Sequence, residues 1–168
     1  MIYAVGIVAV ITGVLLDQIT KYIATTHIKE NPITLIEGVF ELRYLENRGA
    51  AFGMLQNQQW FFIIITVITL CIIMFVFVKL PQEKQFTPLR TCMIFLTAGA
   101  IGNMIDRVRL GYVVDFFYFE LIDFPIFNVA DIFATVSTLV LIVLFLFYYS
   151  EEDFDLIYRL ILPKTKKK

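Results

Sequence analysis

The chain has 168 residues, of which 59% are hydrophobic and 17% charged, where soluble proteins carry about 25% charged residues. That composition excludes a water-soluble fold, and the length leaves room for one domain, residues 1–168. The formal net charge is −1 and the basic residues are scattered apart from Lys164, Lys166, Lys167 and Lys168, so there is no nucleic-acid footprint; the lysine tail suits anionic membrane lipid instead.

Four windows reach the roughly 20 mainly apolar residues that a membrane helix needs. The first, about residues 2–24, carries no charge until Asp17. It lacks a basic leader and an A-x-A-like cleavage site, and is expected to be a retained helix rather than a signal peptide. The second spans about residues 59–78 and is stopped by Lys79 and Pro81. The third covers about residues 88–105 and is expected to end in Asp106 and Arg107. The fourth, about residues 129–149, has Asp131 at its head and ends before Glu151, Glu152 and Asp153.

Between the first two spans, Phe40, Leu42 and Tyr44 alternate with Glu41 and Arg43, which predicts a small β-platform at the membrane surface over about residues 33–46. After the fourth span, Phe154, Ile157, Tyr158 and Ile161 recur at helical spacing, so residues 151–168 are expected to form a surface-lying amphipathic helix and a basic tail. The expected fold is an α-helical integral membrane protein with four transmembrane helices and this outer platform. Lys79, Lys84, Arg90, Arg159 and the lysine tail set against the other basic residues favour cytoplasmic termini. Trp60, Tyr22, Tyr148 and Tyr149 are expected to be interfacial anchors.

Four antiparallel spans have a consequence for the polar residues. Asp17 to Lys21 closes the first span, Asn47 to Phe52 precedes the second, Asn103 to Arg107 closes the third, Asp115 lies in the loop that follows, and Asn128 to Asp131 opens the fourth. All fall on one membrane face. Ionisable groups beside hydrocarbon are costly and normally have a partner or a task, so five converging clusters mark a site.

Several chemistries are excluded by what is missing. The only serines, Ser137 and Ser150, have no lysine or histidine nearby. His27 stands alone without an H-E-x-x-H pattern and reads as an interfacial residue. Cys71 and Cys92 have neither C-x-x-C spacing nor a histidine partner, which argues against zinc or a disulfide and leaves them as buried packing residues. Gly99 and Gly102 follow no strand, so a phosphate loop is unsupported.

Carboxylates remain. Asp115 and Asp131 suit paired work, since two close carboxyl groups cannot both ionise easily and therefore share a proton. One then serves as base toward water while its protonated partner polarises the carbonyl under attack. A separation of 16 residues permits this without requiring it. Asp131 equally suits a helix N-cap, and Asp115 a satisfied loop carboxylate. Asn103, Asp106 and Arg107 stand at i, i+3 and i+4, Asn128 and Asp131 repeat the i, i+3 spacing, and Asp17 and Lys21 are placed to neutralise each other. Gly49-Ala50-Ala51 after Asn47 offers room for close backbone approach, as tight helix packing also would.

These residues carry a resemblance. Leu16-Asp17-Gln18-Ile19-Thr20-Lys21, Asn47-Arg48-Gly49-Ala50-Ala51-Phe52-Gly53 and Gly99-Ala100-Ile101-Gly102-Asn103-Met104-Ile105-Asp106-Arg107 occur in order, followed by Gly111-Tyr112-Val113-Val114-Asp115-Phe116 and Phe127-Asn128-Val129-Ala130-Asp131. In order and spacing, over about residues 10–145, the chain resembles the bacterial lipoprotein signal peptidases, also called signal peptidase II. The resemblance implies an aspartic endopeptidase of the plasma or inner membrane with Asp115 and Asp131 as its dyad. Its substrate would be a diacylglyceryl-modified prolipoprotein, cleaved just before the lipidated cysteine near the outer face. By the same match Asn103, Arg107, Asn128, Asn47 and Asp17 line or brace the pocket; Lys21, Asp106 and Gly49, singled out above by their spacing, are expected to support it. No metal or organic cofactor is expected, and no oligomeric partner is implied. The commonest pattern is departed from at Ile132 and at Phe117-Tyr118, which places pocket shape in question more than catalytic identity.

Overall fold

The computed structural model describes residues 2–49 and 55–161. Ala50, Ala51, Phe52 and Gly53 of the second motif, and the lysine tail, lie outside the described residues. In chain order the elements are α1 (Ile2–Ile23), continued by a π turn (Ala24–Ile28), β1 (Ile33–Ile36), β2 (Phe40–Asn47) and α2 (Gln59–Lys79). They continue with a 3-10 turn (Lys84–Phe86) leading into α3 (Thr87–Leu110), then β3 (Val113–Tyr118), a 3-10 turn (Glu120–Ile122), α4 (Val129–Val143) with a π turn (Leu144–Tyr148), and α5 (Glu151–Ile161). Among the described residues, four helical stretches are long and apolar enough to cross a membrane: Ile2–Ile28, Gln59–Lys79, Lys84–Leu110 and Val129–Tyr148.

The least apolar of these, α3, is central and packs on α1, α2 and α4. The most apolar, α2, has no fully buried residue, and only one of its faces packs on the bundle, through Ile73, Val76 and Phe77. Cys71 on α2 is consequently exposed toward the surroundings, which corrects the expectation of a buried packing residue; Cys92 on α3 is buried as expected.

Close helix approach depends on glycines in α3. A Cβ on Gly99 would lie 2.5 Å from the Ala130 carbonyl oxygen, and one on Gly102 would lie 2.5 Å from Asp17 Oδ2. Backbone cannot yield as a flexible side-chain tip can, so Gly99→Ala must push α4 away from α3. The expected result is a sharp fall in recoverable folded protein for Gly99→Ala, read by size-exclusion chromatography in detergent. Native yield and thermal midpoint in that variant would contradict the packing described.

Two boundaries differ from the sequence expectation. The third span runs on to Leu110, so Asp106 and Arg107 lie inside the helix rather than ending it. Charges in a final turn do not stop a helix, and Arg107 and Arg109 complement its C-terminal dipole; the stop is Gly111, at φ 77°. Asp115 sits in a strand rather than a loop. β3 pairs antiparallel with β2, with Leu45 opposite Asp115 and Leu42 opposite Phe117, giving a three-stranded sheet in the order β1-β2-β3. Val113 to Phe116 are all buried, so the strand shows no alternation and reads as a plain apolar run around one aspartate.

Apolar clusters lie at the two ends of the bundle. Leu80, Phe86, Leu89, Cys92, Met93, Leu144 and Tyr149 form one. Tyr149 stacks on Phe86 at 5.7 Å within it, so it is a packing residue and not the expected interfacial anchor. Ala24, Ile28, Val114, Phe116 and Val129 form the other, beneath the sheet and next to the polar cluster.

Candidate active site

Asp115 and Asp131 arrive from different elements and meet at one asparagine. The Phe127 N–H donates to Phe117 O at 3.0 Å and the Phe117 N–H to Phe127 O at 2.8 Å, which pins the segment before α4 against β3. Asn128, next in the chain, is fully buried and donates through Nδ2 to Asp115 Oδ1 at 2.6 Å. Its Oδ1 accepts the Asp131 N–H at 3.0 Å, while Asp131 Oδ2 accepts the Asn128 N–H at 3.1 Å. The pair forms a capping box in which Asn128 is the N-cap and Asp131 the third helical residue. Asp131 is therefore not the N-cap, and capping engages only one of its oxygens.

The remaining oxygens are also held by neutral amides. Asn47 Nδ2 donates to Asp115 Oδ2 at 2.8 Å, and Asn103 Nδ2 donates to Asp131 Oδ1 at 2.8 Å. Asn47 is itself oriented by the Gly49 N–H, which donates to its Oδ1 at 3.0 Å. Each carboxylate thus has a fixed side-chain orientation, and among the described residues no cation is bonded directly to it.

Burial, and then the charge of Asp131, push the Asp115 carboxyl up to about 7 from the ordinary 3.8, against the pull of the Asn47 and Asn128 amides and of Lys21. A carboxyl raised this far can keep its proton well above the ordinary carboxylate range. Because its folded value lies above the unfolded one, this group's contribution to stability is present in acid and lost as pH rises from about 4 through about 7. The thermal midpoint of the native chain is therefore expected to fall relative to that of Asp115→Asn as pH is raised across this window. Parallel midpoints at every pH would contradict the upward shift.

Behind the pair lies a buried charged cluster. Lys21 Nζ contacts Asp17 Oδ2 at 2.9 Å, Asp106 Oδ2 at 3.0 Å and Asn103 Oδ1 at 2.8 Å. Asp17 and Lys21 are paired as their spacing predicts, but Asp106 shares the same ammonium. Arg107 lies over the Phe62 ring at 4.8 Å, and its Nη1 reaches Asn103 O at 3.5 Å, so it borders the site without bonding to either aspartate. Gln18 was not singled out from the sequence. Its Nε2 donates to Asp106 Oδ1 at 3.0 Å and also reaches Asp17 Oδ2 and Gly102 O, each at 3.2 Å. The signal available was an amide inside an otherwise apolar span.

Asp115, Asp131, Asn47, Gly49, Asn103 and Arg107 all line one cavity of about 840 Å³. Its polar rim carries Arg43, stacked on Tyr118 at 4.5 Å, and Arg48, which donates to Glu46 Oε2 at 3.1 Å. Its apolar wall is built from Phe124, Phe127, Ile132 and Val136. Ile132 shapes that wall directly, whereas Phe117 packs against Phe116 at 4.4 Å and Phe127 at 5.6 Å. Among the described residues no group of three or more His, Cys, Asp or Glu is disposed to hold a metal ion.

Four membrane-length helices, a three-stranded sheet and a cavity lined by the buried Asp115 and the half-buried Asp131 define a multi-pass membrane protein with an acid pair at its polar site. Residues 8–147 match the family model described as signal peptidase (SPase) II, and the chain belongs to that peptidase family. It is 47% identical over 147 residues to the lipoprotein signal peptidase of Streptococcus thermophilus, covering 87% of this chain and 93% of that one. Against the lipoprotein signal peptidase of Caldanaerobacter subterraneus the identity is 46% over 144 residues, covering 84% and 96%. A bacterial membrane enzyme solved by the in meso method at 2.3 Å superposes with a TM-score of 0.78 at 36% identity, covering 85% of this chain and 88% of that one. A second, solved at 1.9 Å, gives 0.74 at 34% identity over 87% and 95%.

Proposed function

We propose that this chain is an aspartic endopeptidase that removes the signal peptide from diacylglyceryl-modified prolipoproteins, cleaving just before the lipidated cysteine. The observation that carries the reading is the meeting of Asp115 and Asp131 through Asn128 at a single cavity. In the proposed reaction the pair holds one proton between them. The ionised carboxylate takes a proton from water as its oxygen attacks the scissile carbonyl, and the protonated partner donates to the carbonyl oxygen. The tetrahedral adduct then collapses: one of its hydroxyl groups returns a proton to the ionised carboxylate, the cysteine amine leaves with a proton from the other acid, and the signal peptide departs as a free acid, so the pair again holds one proton. Asn47, Asn103 and Asn128 keep both acids oriented throughout, so little reorganisation accompanies the charge movement.

A substrate anchored by its own lipid reaches the enzyme from within the bilayer, and the cavity suits such an arrival. The apolar wall of Ile132 and Val136 lies on α4, and the polar rim lies on the sheet. In this reading the cavity opens near the outer face, both termini are cytoplasmic, and the platform holds the peptide from above. Asp131 sits in the first turn of α4 rather than mid-span, which favours hydrolysis at a boundary over ion relay at the midplane.

The test is cleavage of a lipidated precursor by the purified protein in detergent with a chelator present. The expected product is cut immediately before the modified cysteine at an undiminished rate, with the unlipidated precursor cleaved far more slowly. Inhibition by chelator that zinc reverses, or equal cleavage of both precursors, would overturn the proposal.

A further inference from the structure

We propose that Lys21, with Gln18 beside it, is the positioning residue of the acid pair: it joins the two buried carboxylates that hold the peptide N–H groups immediately before Asp115 and Asp131. Asp106 Oδ2 accepts the Val114 N–H at 3.1 Å, one residue ahead of Asp115. Asp17 Oδ1 accepts the Ala130 N–H at 3.0 Å, one residue ahead of Asp131. The same ammonium lies 2.9 Å from Asp17 and 3.0 Å from Asp106. A continuous polar chain thus runs from the β3 backbone through Asp106, Lys21 and Asp17 to the backbone of α4. Its length fixes how far apart the two acid-bearing peptides stand.

The cluster has the properties such a spacer needs. Asp17, Lys21 and Asp106 are 0%, 3% and 3% exposed, so water neither screens the contacts nor replaces them. The three ammonium donors are all used, the third on Asn103 Oδ1 at 2.8 Å, whose own amide holds Asp131. Two carboxylates share one ammonium, and Gln18 adds a neutral donor to both. The Ala130 N–H is one of the unpaired donors of a helix N-terminus, where a carboxylate is favoured by the dipole. Misplacing reacting groups by about an ångström lowers rates by about two orders of magnitude, so a loosened spacer should affect turnover before it affects substrate capture.

The inference rests on Asp115 and Asp131 being the reacting pair. Its test compares Lys21→Met with Lys21→Met/Asp17→Asn. The double variant keeps the net charge of the cluster and leaves an amide oxygen for the Ala130 N–H. Cleavage of a lipidated precursor is measured per folded molecule, with folded protein counted by size-exclusion chromatography. Both variants are expected to lose at least about 30-fold in kcat with KM within about threefold, and Gln18→Leu to lose several-fold in the same direction. If kcat per folded molecule is native and only the yield of folded protein drops, the cluster is structural and the positioning role is wrong. A raised KM with native kcat would make it part of substrate binding and overturn the role equally. Should the single lysine variant fail to fold, the charge-matched double variant and Gln18→Leu decide between these outcomes. Retained cleavage by Asp115→Asn would instead overturn the acid pair itself, leaving the spacer without a function.

Discussion

Asp115→Asn and Asp131→Asn are each expected to lower kcat for a lipidated precursor by at least about 10³-fold while leaving the protein folded and KM little changed. An amide is nearly isosteric with a carboxylic acid, and it neither accepts a proton from water nor donates an acidic one to a carbonyl. Structural losses should be modest. An amide oxygen at 131 still accepts the Asn128 N–H that closes the capping box. An amide at 115 keeps one acceptor for the two Nδ2 donors, Asn47 and Asn128, that now bind its two oxygens. Because the two acids act as one unit, the double variant should be no worse than either single one. Losses that multiply would indicate independent tasks.

The second large effect falls on Asn128, through which capping and catalysis are joined. Serine caps helices about as well as asparagine, so Asn128→Ser retains an acceptor for the Asp131 N–H and removes Nδ2. That leaves Asp115 Oδ1 and Asn103 Oδ1 each without one buried donor. The expected stability cost is about 1–3 kcal/mol, the magnitude for an unsatisfied buried polar atom. The expected loss in kcat is larger, about 10²-fold, because the orientation of Asp115 then depends on Asn47 alone. Chemical or thermal denaturation beside steady-state kinetics separates the two. Full turnover in a folded Asn128→Ser protein would mean that Asn128 serves only the helix.

What the sequence discloses here follows from how each physical constraint is written in it. The four spans were legible because hydrocarbon demands long apolar runs, and their centres agree with the helices observed. The polar residues were legible because the same medium penalises them, and Asp17, Lys21, Asn103, Asp106, Asn128 and Asp131 do converge. Strand β3 was hidden because a strand buried on both faces has no polar alternation, so Asp115 read as a loop residue. The end of α3 is not legible from charge, because Asp106 and Arg107 stay inside the helix and a left-handed glycine supplies the stop. Pairings across the fold were beyond reach. Asp17 and Lys21 announce each other by spacing, whereas the tie from Asp17 to the Ala130 N–H spans 113 positions and leaves no local pattern. The outward face of Cys71 is likewise a property of which helix ends up outermost.

The central claim is that two carboxyl groups work with one proton between them, and the pH dependence of kcat/KM tests it most directly. With Asp115 held at about 7, the doubly ionised pair takes over above neutrality and the doubly protonated pair in acid, and neither holds both a base and an acid. A bell-shaped profile measured from about pH 4 to about pH 9, with an alkaline limb near 7, is the predicted result. A rate that stays level or climbs through the alkaline range would mean that the reaction needs no shared proton, and would contradict the account.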